Sequence, residues 1–218
     1  MGHIFITGGT GYMGRHLIPK LLGRGHQVTA VAREGSEGKL PAGCEVIVAN
    51  ALDRTTWRRH LRPEHTLVHL VGVAHPSPAK ALEFVDIDLR SAREAILAAQ
   101  GEHVRHFVYV SVAQPAPAMK SYVTVRAAVE NAIRESGLNA TILRPWYVLG
   151  PGHWWPLVLV PFYKIAELTP GLSEGAKRLA LVKLEEMIAA LVAAVENPAE
   201  GIRIVDVPAI RRGAWSGS

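Results

Sequence analysis

The chain has 218 residues, of which 49% are hydrophobic and 20% charged, as expected for one domain whose core needs no covalent staples. Its single cysteine, Cys44, excludes an intrachain disulfide and fits a reducing, cytoplasmic setting. The net charge of +5 is scattered rather than gathered into a stripe, which argues against a nucleic-acid partner. The most lipid-like stretch, 154–165, is too short to span a bilayer and is interrupted by Pro156 and Pro161. No charged-then-apolar leader precedes the first apolar run, so neither a cleaved signal peptide nor a transmembrane segment is expected.

The first predicted strand, His3–Thr7, runs into Gly8-Gly9-Thr10-Gly11-Tyr12-Met13-Gly14, which opens a predicted helix over Tyr12–Arg24. GxGxxG is a weak signal alone, but between a strand and a helix it marks a dinucleotide site. The early glycines allow a sharp turn and close approach to a pyrophosphate. Gly14 allows the helix to pack on the sheet, and the helix N-terminus offers free N–H groups to phosphate. The second predicted strand, Gln27–Ala32, is followed by Arg33, 19 residues after Gly14, where NAD enzymes usually carry an acid. A guanidinium there suits a 2′-phosphate, and Arg15 is placed to assist, so NADP(H) is favoured over NAD(H).

Further strands are predicted at Glu45–Val48, Thr66–Leu70, His106–Ser111 and Ala140–Leu143, with helices at Arg54–Arg62, Ala79–Gln100 and Tyr122–Ser136. Arg54, Arg58, Arg59 and Arg62 read as a solvated face, and the charged helix Ala79–Gln100 is a candidate for pairing with a second copy. After Arg144-Pro145 the pattern dissolves into Pro, Gly and Trp, then returns as a helix over Leu181–Glu196 and a strand over Ile202–Val207, before a tail expected to fray. Alternating strands and helices with near-continuous apolar strands predict an α/β doubly wound parallel sheet, the Rossmann fold. The expected division is a dinucleotide-binding domain over 1–145 and a small substrate-side C-terminal lobe over 146–218. Ten histidines show no metal-ligand spacing, so no metal is expected, and His69 reads as a buried, hydrogen-bonded ring. His75, His153 and Trp154 fall after the fourth and sixth strands, where loops border a ligand crevice, and are the candidate substrate contacts; packing of the small lobe is the plainer account of the tryptophans.

The segment TGGTGYMG, the strand leading into Arg33, the later Tyr122-x-x-x-basic pattern and the run from Gly137 to Pro145 together resemble the short-chain dehydrogenase/reductase superfamily. The resemblance is to its extended or atypical branch of NAD(P)-dependent epimerase/dehydratase and NmrA-like NAD(P)H-binding proteins. It implies cofactor contacts from Gly8, Thr10, Gly11, Tyr12, Met13, Gly14 and Arg15, from Asn50 and Ala51 at the adenine, from Leu70, Val71 and Gly72 beneath ribose and nicotinamide, and from Pro145 to Val148 at the carboxamide. It also implies that Tyr122 is a general acid/base, assisted by a basic residue one helical turn on and a hydroxyl at the end of the fifth strand. Here the basic residue is Arg126 where the family has Lys. The family's hydroxyl position falls on Val112, leaving Ser111 one place early and on the other face of a strand. The resulting expectation is an NADP(H)-dependent reductase of a small carbonyl compound. The alternatives are a catalytically silent NAD(P)H-binding redox sensor and an epimerase or dehydratase, for which the chain is short.

Overall fold

The computed structural model describes residues 1–74, 76–115, 119–151 and 180–213. The strands are β1 (His3–Thr7), β2 (Gln27–Ala32), β3 (Glu45–Val48), β4 (His65–His69), β5 (His106–Val110), β6 (Ala140–Leu143), β7 (Val148–Leu149), β8 (Val182–Lys183) and β9 (Ile202–Val205). Seven of them form one sheet in the order β3-β2-β1-β4-β5-β6-β9, with every pairing parallel. The strand order reverses between β1 and β4, which opens a crevice beyond their carboxyl ends. β7 and β8 form a separate short parallel pair. The expected boundary at 145 lies between β6 and a segment from which β9 returns to the same sheet.

Parallel strands need crossovers, and the helices that supply them cover both faces of the sheet. The helices are α1 (Tyr12–Gly23), α2 (Ala81–Glu83), α3 (Arg90–Gly101), α4 (Lys120–Glu135), α5 (Leu184–Glu196) and α6 (Val207–Arg212). The pleat of β1 shows how the faces divide. Ile4 and Ile6 pack with Leu17, Ile18 and Leu21 of α1 and Met187 and Leu191 of α5, while Phe5 points the other way, to Trp57, Ala95, Phe107 and Ile133. Burying α1 and α5 beside each other is what fixes the glycine loop at the head of α1.

Two predicted helices differ in form. In place of one helix over Arg54–Arg62 there are two 3-10 turns, Arg54–Thr56 and Arg58–His60. Asp53 caps the first by accepting from the Thr55 N–H, and the backbone then opens at Trp57 (φ −137°, ψ −19°), whose indole is fully buried against the Phe5 ring at 5.7 Å. Burying that ring outweighs continuing the helix. The predicted helix Ala79–Gln100 is likewise segmented into a 3-10 turn at Pro78–Lys80, α2, a π-helical stretch at Phe84–Leu89, and α3. The wider π turn carries Phe84 and Asp88 into the interior together. Smaller differences fall at ends: β5 stops at Val110, α5 begins at Leu184 because Val182–Lys183 pairs with Val148–Leu149, and β9 stops at Val205 because Asp206 caps α6 through the Ala209 N–H.

Candidate active site

The glycine loop leaves β1 through Gly8, whose φ of +83° suits only a residue without a side chain. A Cβ there would lie 2.6 Å from the Leu70 carbonyl carbon and the Val71 nitrogen, so the loop rests directly on the segment after β4. The Gly11 N–H donates to the Gly8 carbonyl at 3.0 Å and tightens the turn. Gly11 then serves as the N-cap of α1 with no side-chain cap and no acid in the first turn. The first N–H groups of the helix are therefore left for an anion, at the positive end of the helix dipole. A methyl group on Gly14 would overlap the backbone of Gly9, so this glycine sets the distance between helix and loop.

Across a cleft of about 700 Å³, the loop faces the ends of β4, β5 and β6 and the start of α4. Gly11, Tyr12, Met13 and Arg15 form one side, Leu70, Val71, Gly72 and Val73 the floor, and Tyr122, Arg126, Pro145 and Val148 the far side. Arg126 lies one helical turn after Tyr122, and its guanidinium carbon sits 4.9 Å from the Tyr122 ring centroid. The Arg126 side chain is nonetheless only 8% exposed. Its Nη1 donates to the Tyr109 hydroxyl at 3.0 Å and to the Val110 carbonyl at 2.8 Å, and its Nη2 donates to Asp88. Burial works against its charge, but Tyr109, Tyr122 and Asp88 outweigh burial and hold Arg126 above its ordinary range. It is a fixed cation that takes no part in proton exchange. Its Nε is buried without a partner among the described residues.

The hydroxyl of Ser111 is turned to Glu130, to which it donates at 2.6 Å. Glu130, almost fully buried, also accepts from Gln114 at 2.9 Å, from Arg134 at 3.1 Å and from Arg144. Burial alone would raise the Glu130 carboxyl; the bonds from Arg144 and Ser111 reverse that and hold it below its ordinary range. The Ser111 hydrogen is thus committed to a buried carboxylate although the residue borders the cleft. His69 is fully enclosed, with Thr7 Oγ1 2.8 Å from Nδ1 and Ser91 Oγ 3.3 Å from Nε2, and burial, with Arg126 nearby, lowers it to about 3. It is a neutral, hydrogen-bonded core ring.

The structure therefore brings twelve of the expected residues to one cleft: Gly11, Tyr12, Met13, Arg15, Leu70, Val71, Gly72, Ser111, Tyr122, Arg126, Pro145 and Val148. Gly8, Thr10 and Gly14 shape the loop without lining it. Arg33, exposed after β2, and Asn50, exposed after β3, lie at the carboxyl ends of neighbouring strands, outside the cleft lining. The Asn50 side chain accepts from the Leu52 N–H at 3.0 Å and shapes the turn that holds Ala51 against the core. His75, His153 and Trp154 fall outside the described residues. Sequence reasoning missed Asp88, Tyr109 and Glu130. The available signal was chemical: an arginine in place of a lysine next to a buried floor requires an anion, and Asp86 and Asp88 are the nearby acids on the preceding helix.

These residues fit a dinucleotide. The tight glycine loop and the uncapped start of α1, which borders the cleft at Gly11, Tyr12 and Met13, provide a place for a pyrophosphate. A family model described as NAD(P)H-binding matches residues 8–150. The chain is 29% identical to a ceramide reductase of Caulobacter vibrioides, over 99% of this chain and 67% of that protein. It is 26% identical to a 3-diazoavenalumate denitrifying reductase of a Streptomyces species, over 91% of this chain and 73% of the relative. In fold it resembles the Bordetella bronchiseptica enzyme WbmH, solved in complex with NAD+, with a TM-score of 0.69 and 22% identity over 94% of this chain and 75% of the other. The chain belongs to the NAD(P)H-binding family.

Proposed function

We propose that the protein is an NADP(H)-dependent reductase of a small, uncharged carbonyl compound. The observation that carries this reading is one cleft in which an uncapped, glycine-headed helix faces Tyr122 stacked on Arg126. The nicotinamide supplies hydride chemistry when bound. The first turn of α1 would hold the pyrophosphate, and Arg33 with Arg15 would meet the 2′-phosphate, which favours NADP(H) over NAD(H). Tyr122 would give a proton to the substrate oxygen, with the Arg126 cation stabilising the phenolate left behind. Val73, Ala74, Val110, Val112 and Trp146 make the rest of the wall mostly apolar, which suits an uncharged substrate. That two matched relatives are named as reductases supports the same reading. Burial, with Glu45 nearby, pushes the Cys44 thiol up to about 11, which keeps it protonated near neutral pH and outside the chemistry.

The test is NADPH oxidation, followed by absorbance, across a panel of aldehydes and ketones. Turnover is expected with wild type, falling by about a hundredfold or more in Tyr122→Phe, the usual scale for loss of a general acid. Undiminished turnover in Tyr122→Phe would remove the tyrosine from the chemistry. One observation favours a second reading, a cofactor-binding protein without turnover: the Ser111 hydroxyl is spent on Glu130 and three Arg126 donors on protein acceptors. NADPH binding with no turnover on any carbonyl would select it.

A further inference from the structure

We propose that Asp88 is a positioning residue of this cleft. It fixes Arg126 so that the guanidinium stays beneath Tyr122, on the side of the cleft across from the glycine loop, where the nicotinamide half of the cofactor would lie. This inference rests on the reading of the cleft as an NADP(H) site. Asp88 does not line the cleft and is 1% exposed. Its two oxygens bridge two walls: Oδ1 accepts from Arg126 Nη2 on α4, and Oδ2 accepts from the Val73 N–H on the cleft floor at 2.9 Å. The floor lies hard against this pair, since a Cβ on Gly72 would come within 2.8 Å of Arg126 Nη2 and 3.3 Å of Asp88 Oδ1.

A guanidinium has a planar fork of five donors, so fixing one end fixes the direction of the others. With Nη1 on Tyr109 and Val110 and Nη2 on Asp88, the placement of the guanidinium against the Tyr122 ring is determined. A lysine could not be held this way by a single ammonium. The same π turn that brings in Asp88 also places Phe84 edge-on to Tyr122, with ring centroids 5.0 Å apart. One irregular turn thus touches both members of the Tyr122–Arg126 pair. Burial pushes the Asp88 carboxyl up, and the permanent charge of Arg126 with the Val73 N–H opposes this.

The experiment compares binding of NADPH with that of 2′,5′-ADP, which carries the adenine half alone, by titration calorimetry. Asp88→Asn is expected to weaken NADPH by about tenfold or more, the scale of a lost charged hydrogen bond, and to leave 2′,5′-ADP within about twofold. A merely structural Asp88 would weaken both ligands together, and an idle one would weaken neither; either result overturns the proposal. The double variant Asp88→Asn/Arg126→Met removes both charges, a change that buried pairs tolerate better than loss of one partner. It should bind NADPH no more weakly than Arg126→Met alone, because Asp88 acts through Arg126. A further loss of about tenfold from Asp88→Asn in the Arg126→Met background would overturn that route. A wild-type chain that binds neither ligand would overturn the cofactor site itself, and the role of Asp88 with it.

Discussion

Gly14 faces the backbone of Gly9 so closely that a single methyl group has no room. Gly14→Ala is expected to cost about 1–3 kcal/mol of stability as an overpacked substitution, and to abolish tight NADPH binding by moving α1 off the loop. Melting temperature and a binding titration check both effects. Arg33 is exposed and contributes little to folding, so Arg33→Ala should leave the melting temperature nearly unchanged. If it meets a 2′-phosphate, NADPH should weaken by about tenfold or more and NADH hardly at all. Equal effects on the two cofactors would remove Arg33 from the selectivity. The glycine loop and Tyr122–Arg126 were legible in the sequence because each is a short local spacing. Asp88, Tyr109 and Glu130 were not, because their roles depend on long-range contacts: Arg126 meets Tyr109 and Asp88, and Glu130 meets Ser111 and Arg144, across separate elements.

At the scale of elements, the sheet strands were legible to within a residue or two because apolar runs bounded by glycine and polar residues leave little choice. The irregular turns were not. Trp57 breaks its helix to bury an indole, and the π turn at Phe84–Leu89 abandons the 3.6-residue period on which a helical reading depends. Trp57→Ala should therefore cost about 3–5 kcal/mol, measured by denaturant unfolding. Two imidazoles on strands β4 and β5 are almost fully buried: His69 is lowered by burial to about 3, and His106 by burial, with Arg203 and Arg105 nearby, to about 4. In the unfolded chain both return to about 6.5, so between these values the unfolded state binds more protons. The stability they contribute is present above about 6.5 and is lost as pH falls, through about 4 for His106 and about 3 for His69. The expected slope is about 1.4 kcal/mol per pH unit per imidazole below pH 6, and thermal melts from pH 7 to 4.5 measure it. Stability that stays level over this range would contradict the buried, neutral assignment.

On the scale of the whole molecule, β9 completes the sheet beside β6 while α5 packs beside α1, so residues on both sides of position 145 support the face that carries the glycine loop. No helix among the described residues is long and apolar enough to cross a membrane. The fold class followed from the alternation of strands and helices, whereas the return of the last strand to the same sheet is a long-range pairing that local pattern does not encode. What the assembled sheet adds is a single cleft joining features that lie more than a hundred residues apart, from Gly11 to Val148. The claim that this cleft is an NADP(H) site is tested most directly by titrating NADPH and NADH into the wild-type chain by calorimetry. One site per chain is expected, with NADPH bound about tenfold or more tightly than NADH; no binding of either cofactor, or a clear preference for NADH, would contradict it.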